Sequence, residues 1–261
     1  MKIKEDLSKK EIISKIMEKK EFSKLPKKDV AKVFELFDKE GLVLEDKIKQ
    51  TRDLLRKMYV VFVSTKLLNK KNESPEWFLK KHISTKERFG YYKELYSRIL
   101  KPGDTIYDLG AGVNGLSFSY FPKHTRYVGV EAVGQLVELM NFYFKTRGLD
   151  AEAIHESLFN LDKIKILLKK RAGTKIIFLF KVLDSLEMLE KNYSKKFLLK
   201  VMPLVDKIVV SYATESLVSR KKFFSNRKWL RDFIEEEFKI LDSFDLGGEK
   251  YIVFSNKPSF S

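Results

Sequence analysis

Two patterns of apolar and polar residues follow one another along the chain. The pattern is helical through about residue 100, whereas after Lys101, Pro102 and Gly103 short β-branched runs alternate with helical segments. That alternation is typical of a parallel sheet whose strands are joined by crossover helices. We therefore predict an all-helical module over residues 1–100 and an α/β domain over residues 101–261.

Capping residues mark the helices of the first module. Pro26 in a first turn and Gly41 beyond the end bracket one helix. Ser74, followed by Pro75, predicts an N-cap, and the Ser-Thr-Lys-Glu sequence of residues 84–87 predicts a capping box. The predicted helices cover residues 27–39 and 45–68, begin again at residue 75, and end with one that runs from the capping box to Leu100.

Seven short runs predict the strands of the second domain. Five of them, predicted to be parallel, cover residues 105–108, 127–131, 153–156, 175–180 and 207–212. Two more, over residues 239–245 and 250–255, are joined so closely that they must pair antiparallel. This order predicts the seven-stranded, Rossmann-like α/β sheet of class I methyltransferases, which ends in an antiparallel hairpin.

The charge of the chain is strongly positive. Lys and Arg number 52 against 36 Asp and Glu, so the formal net charge is +16. A polyanionic partner such as RNA is one explanation, and a generally basic surface is the other. The chain has no cysteine, which excludes disulfides, thiolate metal sites and cysteine nucleophiles. Its three histidines form none of the paired ligand spacings, so we expect no metal site.

No targeting or membrane segment is evident in the sequence. The amino terminus lacks the uninterrupted apolar run of a secretory signal. The most apolar stretch of the first half, residues 58–63, is short and flanked by basic residues, so it cannot span a bilayer. We therefore expect a cytoplasmic protein that has no membrane partner.

A glycine-rich turn follows the first predicted strand. Asp108 ends that strand, and Gly110 and Gly112 follow at the carboxyl edge of the sheet, where doubly wound folds bind ligands. Glycine lets the backbone turn sharply and approach a ligand closely. A phosphate site would need a longer glycine pattern or a Gly-Lys-Ser/Thr sequence, and neither is present. Residues 108–115 therefore suit an uncharged nucleoside with an amino-acid tail, and we predict S-adenosyl-L-methionine.

Glu131 ends the second predicted strand, about twenty residues after the glycines, where an acid can accept hydrogen bonds from both ribose hydroxyls. The same arrangement serves NAD, so the glycine spacing rather than the acid selects the cofactor. The competing explanation for the two features is an ordinary tight turn followed by a solvent-facing glutamate.

Four motifs, in order over about the last 180 residues, resemble those of the aminoglycoside-resistance 16S ribosomal RNA guanine-N7 methyltransferases. His-Ile-Ser-Thr-Lys-Glu-Arg at 82–88 looks like the family's His-x-Ser-Thr-Arg-Glu-Arg, and Gly-Ala-Gly-Val-Asn-Gly-Leu at 110–116 like its Gly-Cys-Gly-Leu-Asn-Pro-Leu. Residues 181–187 are similar to its Lys-x-Leu-Pro-x-Leu-Glu, and residues 211–220 to its Ser-Phe-Pro-Thr-x-Ser-Leu-x-x-Arg. The chain departs from the family at Gly115, where the family has proline.

The resemblance implies roles for the cofactor-binding residues. Arg88 would pair with the cofactor carboxylate through parallel hydrogen bonds, and His82 would help to hold the same tail, although a purely structural histidine is the alternative. Glu131 would hold the ribose, and Glu156 or Ser157, which follow the third strand, would contact the adenine. The predicted cofactor-binding residues are His82, Arg88, Asp108, Gly110, Gly112, Asn114, Glu131, Glu156 and Ser157.

Lys181 directly follows the apolar fourth strand. A charge in that place needs a reason, and we predict a role in the active site or at the substrate backbone. Ser211 and Arg220 would line the acceptor side, which makes Lys181, Ser211 and Arg220 the predicted catalytic group. Guanine N7 has a free lone pair and needs no general base, and the sequence offers no compelling candidate for one.

Basic residues interleaved with aromatics predict an RNA-binding surface, because cations can meet phosphates while a ring stacks on a base. The alternative for the aromatics, Phe223, Phe224 and Trp229, is packing in the core. The predicted RNA-binding residues are Lys221, Lys222, Arg227 and Lys228, and the amino-terminal lysines would add a diffuse basic face.

The resemblance thus implies an S-adenosylmethionine-dependent RNA methyltransferase that acts on ribosomal RNA or the small ribosomal subunit, with guanine N7 as the acceptor. We expect a monomer. Two alternatives remain at this point: a methyltransferase that acts on transfer RNA or another substrate, and a non-catalytic RNA-binding protein built on a methyltransferase scaffold.

Overall fold

The computed structural model describes residues 7–60, 73–170, 173–214 and 227–258. In these ranges one sheet contains seven strands, whose bounds are β1 Thr105–Leu109, β2 Arg126–Glu131, β3 Ala151–His155, β4 Lys175–Phe180, β5 Lys207–Ala213, β6 Phe238–Leu246 and β7 Glu249–Asn256. Their spatial order is β3-β2-β1-β4-β5-β7-β6. The first five strands pair parallel, and β7 runs antiparallel to both of its neighbours. The predicted class I methyltransferase fold is therefore confirmed.

The helices precede the sheet and alternate with its parallel strands. Those before the sheet are α1 Lys9–Met17, α2 Lys27–Glu35, α3 Leu44–Leu55, α4 Pro75–Lys81, α5 Ile83–Arg88 and α6 Tyr92–Ile99. Those that follow β2 to β5 are α7 Gly134–Arg147, α8 Leu161–Lys169, α9 Leu183–Leu189, α10 Tyr193–Val201 and α11 Lys228–Glu237.

The central strands are apolar on both faces because helices cover both. Ile176 to Leu179 of β4 are fully buried, as are Ile106 and Tyr107 of β1. Continuous apolar runs of this kind are typical of parallel strands covered on both sides. This continuity explains why the sequence located β4 at its observed bounds. The other strands were located to within two residues.

The predicted capping box at residues 84–87 is wrong. His82 is the N-cap of α5, and Ser84 lies inside the helix, where its hydroxyl accepts a hydrogen bond from the Arg88 guanidinium. The helix also fails to reach Leu100 unbroken, since a 3-10 turn at Phe89–Tyr91 separates α5 from α6. The contacts of Arg88 with Glu249 and Asn114, which lie far away in sequence, outweigh the local capping signal here.

Two other helix predictions need correction, and one is confirmed. The helix predicted over residues 27–39 ends at Glu35. The helix predicted over residues 45–68 becomes a π-helical turn at Arg56–Val60, and residues 61–68 lie outside the described ranges. Ser74 is the N-cap that the sequence predicted, because its hydroxyl accepts a hydrogen bond from the Trp77 N–H at 3.2 Å.

Helices α1 to α3 and the π-helical turn, residues 7–60, are called the N-terminal segment below. Its apolar residues, such as Ile16, Val33 and Leu55, belong to the same core as Ile106 and Phe178 of the sheet. Backbone contacts join the two parts as well, since the Gly134 N–H of α7 donates to the carbonyl of Lys24 at 3.1 Å. The N-terminal segment therefore packs directly on the α/β domain. Every helix in the described ranges falls short of what a bilayer crossing requires.

Candidate cofactor pocket and active site

A cavity with about 840 Å³ of atom-free space, including its open mouth, lies at the carboxyl edge of β1, β2 and β4. Open α/β sheets bind ligands at this edge. Polar side chains line part of the wall, and apolar ones, including Met58, Leu158 and Phe159, line another part. The sequence-predicted residues that line it are His82, Arg88, Asp108, Gly110, Gly112, Asn114, Glu131 and Lys181.

The turn after β1 needs both of its glycines. Gly110 and Gly112 have φ angles of +79° and +55°, a region that side chains disfavour. A Cβ atom on Gly110 would lie 2.1 Å from Val182 Cγ2, and one on Gly112 would lie 2.9 Å from His82 Cε1. The backbone of the turn therefore lies against the His82 ring and the segment that follows β4.

A hydrogen-bonded network centred on Asn114 lies under the turn. Arg88 Nη1 and the Tyr92 hydroxyl donate to Asn114 Oδ1 at 3.0 and 2.9 Å, and Asn114 Nδ2 donates to Asp108 Oδ2 at 2.7 Å. The Tyr127 hydroxyl also donates to Asp108, at 2.9 Å. Burial raises the pKa of Asp108 to about 6, and these two donors only partly offset the effect. The network fixes the Asp108 carboxyl at the wall of the cavity.

Glu249, the first residue of β7, is a member of the site that sequence reasoning missed. Its Oε1 accepts hydrogen bonds from Arg88 Nε at 2.9 Å and lies 3.1 Å from Lys181 Nζ, while its Oε2 accepts from the Ser211 hydroxyl at 2.7 Å. Burial would raise the pKa of Glu249, but the charges of Arg88 and Lys181 outweigh it and the pKa is lowered. Three residues singled out in the sequence therefore meet on one buried carboxylate.

A sequence signal for Glu249 does exist in the alternation of β7. Glu249, Tyr251 and Val253 occupy alternate positions and are all buried, so the acid occupies an inward-facing place among apolar residues. An acid in such a place is a candidate for a buried ion pair. Its cationic partners could not be identified, because Arg88 lies 161 positions away in sequence.

His82 is buried against the two cations of the site. Burial, followed by the charges of Arg88 and Lys181, lowers the pKa of His82 to about 3. The imidazole is therefore neutral at physiological pH, and it cannot supply a positive charge to a ligand. Its ring packs against Gly112, which fixes its position beside the turn.

Glu131 is held by the backbone at the end of β2. Its two carboxylate oxygens accept hydrogen bonds from the N–H groups of Gly112 and Val133, each at 2.8 Å. Burial raises the pKa of this carboxyl, and the backbone donors oppose the effect. The carboxylate retains acceptor capacity for a further donor, such as a ribose hydroxyl.

Lys181 adopts a φ of +58°, which is uncommon for a residue with a side chain. Its backbone N–H donates to the Ser211 carbonyl at 3.0 Å, and its ammonium group pairs with both Glu87 and Glu249. The left-handed turn at the end of β4 thus places the ammonium group at the buried cluster rather than in a solvated loop. Strained backbone of this kind is enriched at functional sites.

Two predicted adenine contacts have other partners in the structure. The Ser157 hydroxyl donates to Asp29 of α2, and Glu156 pairs with Lys163 at 3.0 Å. Neither residue lines the cavity, whereas the next two residues, Leu158 and Phe159, do. Their contact with a bound adenine stays a prediction.

Of the residues predicted to line the acceptor side or to bind RNA, only some lie near the cavity. Ser211 reaches the site through its hydrogen bond to Glu249. Arg227 is engaged by the Asp184 carboxylate and donates to the Ala213 carbonyl at 3.1 Å, whereas Lys228 is exposed on α11. The remaining predicted residues, Arg220, Lys221 and Lys222, lie outside the described ranges.

No protein-family model and no curated protein sequence matches the chain. Solved structures do match it in fold. The 16S rRNA methyltransferase RmtF, in complex with S-adenosyl-L-homocysteine, aligns with a TM-score of 0.79 at 20% sequence identity, over 97% of this chain and 99% of its own. The 16S rRNA methylase RmtB aligns at 0.76 and 17%, over 96% and 99% of the two chains. An rRNA methylase from Escherichia coli aligns at 0.75 and 17%, over 96% and 100%.

These matches include the helical segment as well as the sheet, since they cover nearly the whole of each chain. The chain therefore has the class I methyltransferase fold, in the form in which it occurs in these 16S rRNA methyltransferases.

Proposed function

We propose that this protein is an S-adenosylmethionine-dependent RNA methyltransferase that modifies small-subunit ribosomal RNA at guanine N7. The observation that carries the proposal is the cavity at the carboxyl edge of β1, β2 and β4, with its glycine turn, its buried carboxylates and its apolar wall. The fold shared with RmtF, RmtB and the E. coli rRNA methylase supports the choice of substrate class.

The residues present fit the proposed cofactor. The two close-packed glycines let the backbone lie beside His82, and Arg88 and Asp108 offer opposite charges for a carboxylate and an ammonium group. Glu131, whose orientation the backbone fixes, would accept hydrogen bonds from the ribose hydroxyls. Leu158 and Phe159 would pack against the adenine. When bound, S-adenosylmethionine supplies an electrophilic methyl group.

The chemistry of the cavity suits an acceptor that needs no general base. His82, with a pKa near 3, is a weak base, and the Glu131 carboxylate is engaged by backbone donors. The Asp108 carboxyl is hydrogen-bonded to Asn114 and Tyr127, and we assign it to the ammonium group of the cofactor rather than to the acceptor. Guanine N7 carries a lone pair that no proton blocks, so transfer to it depends on position rather than on proton removal. The buried cluster around Glu249 would serve by fixing Arg88 and Lys181 beside the cavity.

The surface suits a polyanion. In addition to the net charge of +16, a concave surface between α1 and α3 is lined mainly by the basic residues Lys15, Lys19, Lys49, Arg52 and Arg56. Such cations bind phosphates without reading sequence, so they would orient the RNA while the cavity selects the nucleotide. We also propose that the protein acts in the cytoplasm, in keeping with a small-subunit RNA substrate, and that it acts as a monomer.

The substrate class can be tested with tritiated S-adenosylmethionine. The protein is incubated in parallel with 30S subunits, free ribosomal RNA, transfer RNA and ribosomal protein, and the label is measured in each. We expect label in the ribosomal RNA of the 30S subunits, and none with Arg88→Ala at matched concentration. Label confined to transfer RNA or to protein would contradict the substrate, and binding of cofactor without transfer to any of them would favour a non-catalytic scaffold.

A further inference from the structure

Asp29, in α2 of the N-terminal segment, reaches the cavity wall from outside the α/β domain. The residue is 3% exposed, and its carboxylate accepts hydrogen bonds from Ser157 Oγ at 2.8 and 2.7 Å and from the Tyr59 hydroxyl at 2.7 Å. Tyr59 belongs to the π-helical turn, and Ser157 follows β3. One carboxylate thus joins three parts of the chain that are distant in sequence.

One donor lines the cavity, and the other directly precedes two residues that line it. Tyr59 lines it together with Met58, and Ser157 directly precedes Leu158 and Phe159, which also line it. The Phe159 N–H donates to Ser157 Oγ at 3.1 Å, so the Ser157 hydroxyl links Asp29 to the backbone of this wall. The Asp29 carboxylate therefore connects the Tyr59 wall to the Phe159 wall through hydrogen bonds.

Burial of the Asp29 carboxylate is unfavourable for stability, which suggests that the residue serves to position its neighbours. Burial raises the pKa of this carboxyl, although the Ser157 and Tyr59 hydroxyls and the charge of Lys32 oppose the effect. Both donors are neutral hydroxyls, and a buried carboxylate costs free energy that an apolar contact would avoid. Docking of α2 alone does not require an acid here, since Val30, Val33 and Phe34 of the same helix already bury apolar side chains.

We propose that Asp29 is a positioning residue for the adenosyl end of the cavity, and that it couples cofactor binding to the docking of the N-terminal segment. The inference rests on the proposed function. A ligand that binds better when the two walls are held together must, by reciprocity, stabilise the docked segment. Because the basic surface of α1 and α3 belongs to that segment, a cofactor-loaded protein would present this surface to RNA in a more ordered state.

Hydrogen exchange with S-adenosylhomocysteine as the probe tests this coupling. In the wild-type protein we expect the ligand to slow amide exchange in residues 110–115, and also in residues 27–35 and 56–60. Asp29→Asn keeps the size of the side chain, and should weaken ligand affinity about tenfold, since it weakens two hydrogen bonds to a charged group. At saturating ligand, Asp29→Asn should retain the slowing in residues 110–115 and lose it in residues 27–35.

Glu138→Gln is the matched control. Glu138 of α7 pairs with Lys24, so this exposed ion pair also joins the N-terminal segment to the α/β domain, but neither residue lines the cavity. We expect Glu138→Gln to leave ligand affinity within about twofold of wild type, because exposed pairs contribute little. Equal losses in the two variants would show that Asp29 serves docking alone, and would overturn the proposal.

Other outcomes are equally decisive. Slowing in residues 110–115 without any in residues 27–35 of the wild-type protein would overturn the coupling and leave the proposed function standing. A wild-type protein that binds no S-adenosylhomocysteine would contradict both the coupling and the proposed function. If Asp29→Asn does not fold, Tyr59→Phe and Ser157→Ala each delete one hydroxyl donor to Asp29. Each should weaken binding about threefold, and wild-type affinity in both would overturn the proposal.

Discussion

Arg88 Nε donates a hydrogen bond to Glu249 Oε1 at 2.9 Å. The Arg88 side chain is only 3% exposed, and that of Glu249 is fully buried. Arg88 ends α5, before the sheet begins, and Glu249 opens its last strand. The pair therefore connects the helices before the sheet to the antiparallel hairpin, and it holds the Arg88 cation at the wall of the cavity.

The first prediction concerns this pair. Glu249→Gln keeps the shape of the side chain but leaves the charges of Arg88 and Lys181 without their shared carboxylate. We expect the free energy of unfolding to fall by about 3 kcal/mol, because a buried charge that loses its partner is strongly destabilising. Urea unfolding measures this change.

The control for Glu249 is an exposed pair that also joins the helices before the sheet to the hairpin. Asp242 of β6 binds Arg98 at 2.7 Å with both side chains partly exposed, so Asp242→Asn should cost less than about 1 kcal/mol. Equal effects of Glu249→Gln and Asp242→Asn would mean that the buried cluster contributes no more than a surface pair.

The second prediction concerns the glycine turn. Gly110→Ala places a Cβ against Val182 at a positive φ, and should destabilise the protein by about 2–4 kcal/mol through overpacking and backbone strain. Gly148→Ala, at a φ of +60° with open space around it, should cost only the strain, about 1–2 kcal/mol. Thermal unfolding separates the two, and adding Val182→Ala to Gly110→Ala should recover part of the loss. Equal losses in the two single variants would contradict the close packing of the turn.

The third prediction concerns pH. The pKa of Asp108 is raised to about 6 by burial, so the folded protein holds this proton more tightly than the unfolded chain does. The stability contributed by this group is therefore present at low pH and declines as the pH rises from about 4 to 6. Asp108→Asn should remove this decline. Unfolding measured between pH 4 and 7 would show the opposite trend if the carboxyl were stabilised in its charged form.

The same carboxyl should make ligand binding depend on pH. The ammonium group of S-adenosylhomocysteine favours ionised Asp108, so affinity should rise as the pH passes through about 6 and become constant above it. Calorimetry in buffers of different ionisation enthalpy should detect proton release at pH 6. An Asp108→Asn variant with an unchanged pH profile would assign that titration to another group.

The fourth prediction concerns RNA. Lys221 and Lys222 were assigned from sequence, and replacing both with Ala should reduce the slope of log affinity against log salt by about 1.4–1.8, since each phosphate contact releases counterions. The control is the double variant Lys101→Ala and Lys123→Ala, which removes the same number of positive charges. Both lysines are exposed and precede β1 and β2, so they lie at the edge of the sheet opposite the cavity. That variant should leave the slope unchanged. Equal slopes for the two variants would exclude a local RNA contact at residues 221–222.

The sequence predicted the strands better than the helices, for a physical reason. The apolar run of Ile176 to Phe180 is long enough to be read without knowledge of its neighbours. The ends of the helices depend on tertiary partners. Arg88, which ends α5, is held by Glu249 and Asn114, 161 and 26 positions away in sequence, and it binds the Ser84 hydroxyl within its own helix.

The residues of the site were likewise predictable only where they belong to a local sequence pattern. Residues of the turn, such as Gly110 and Gly112, carry a local pattern, and the structure brings them to the cavity together with Glu131. Glu249 and Asp29 were missed because their partners lie 161 and 128 positions away in sequence. The pattern of β7 can mark Glu249 as a buried acid, but no local pattern identifies partners that lie so far away in sequence.

The measurement that tests the central claim most directly is the position of the transferred methyl group. Small-subunit RNA treated with the protein and S-adenosylmethionine is cleaved with borohydride and aniline, and the breaks are mapped by primer extension. We predict a single new break at a guanine, which depends on the cofactor and is absent with Arg88→Ala. Methylated RNA that resists this cleavage, or RNA that acquires no methyl group, would contradict guanine N7 transfer.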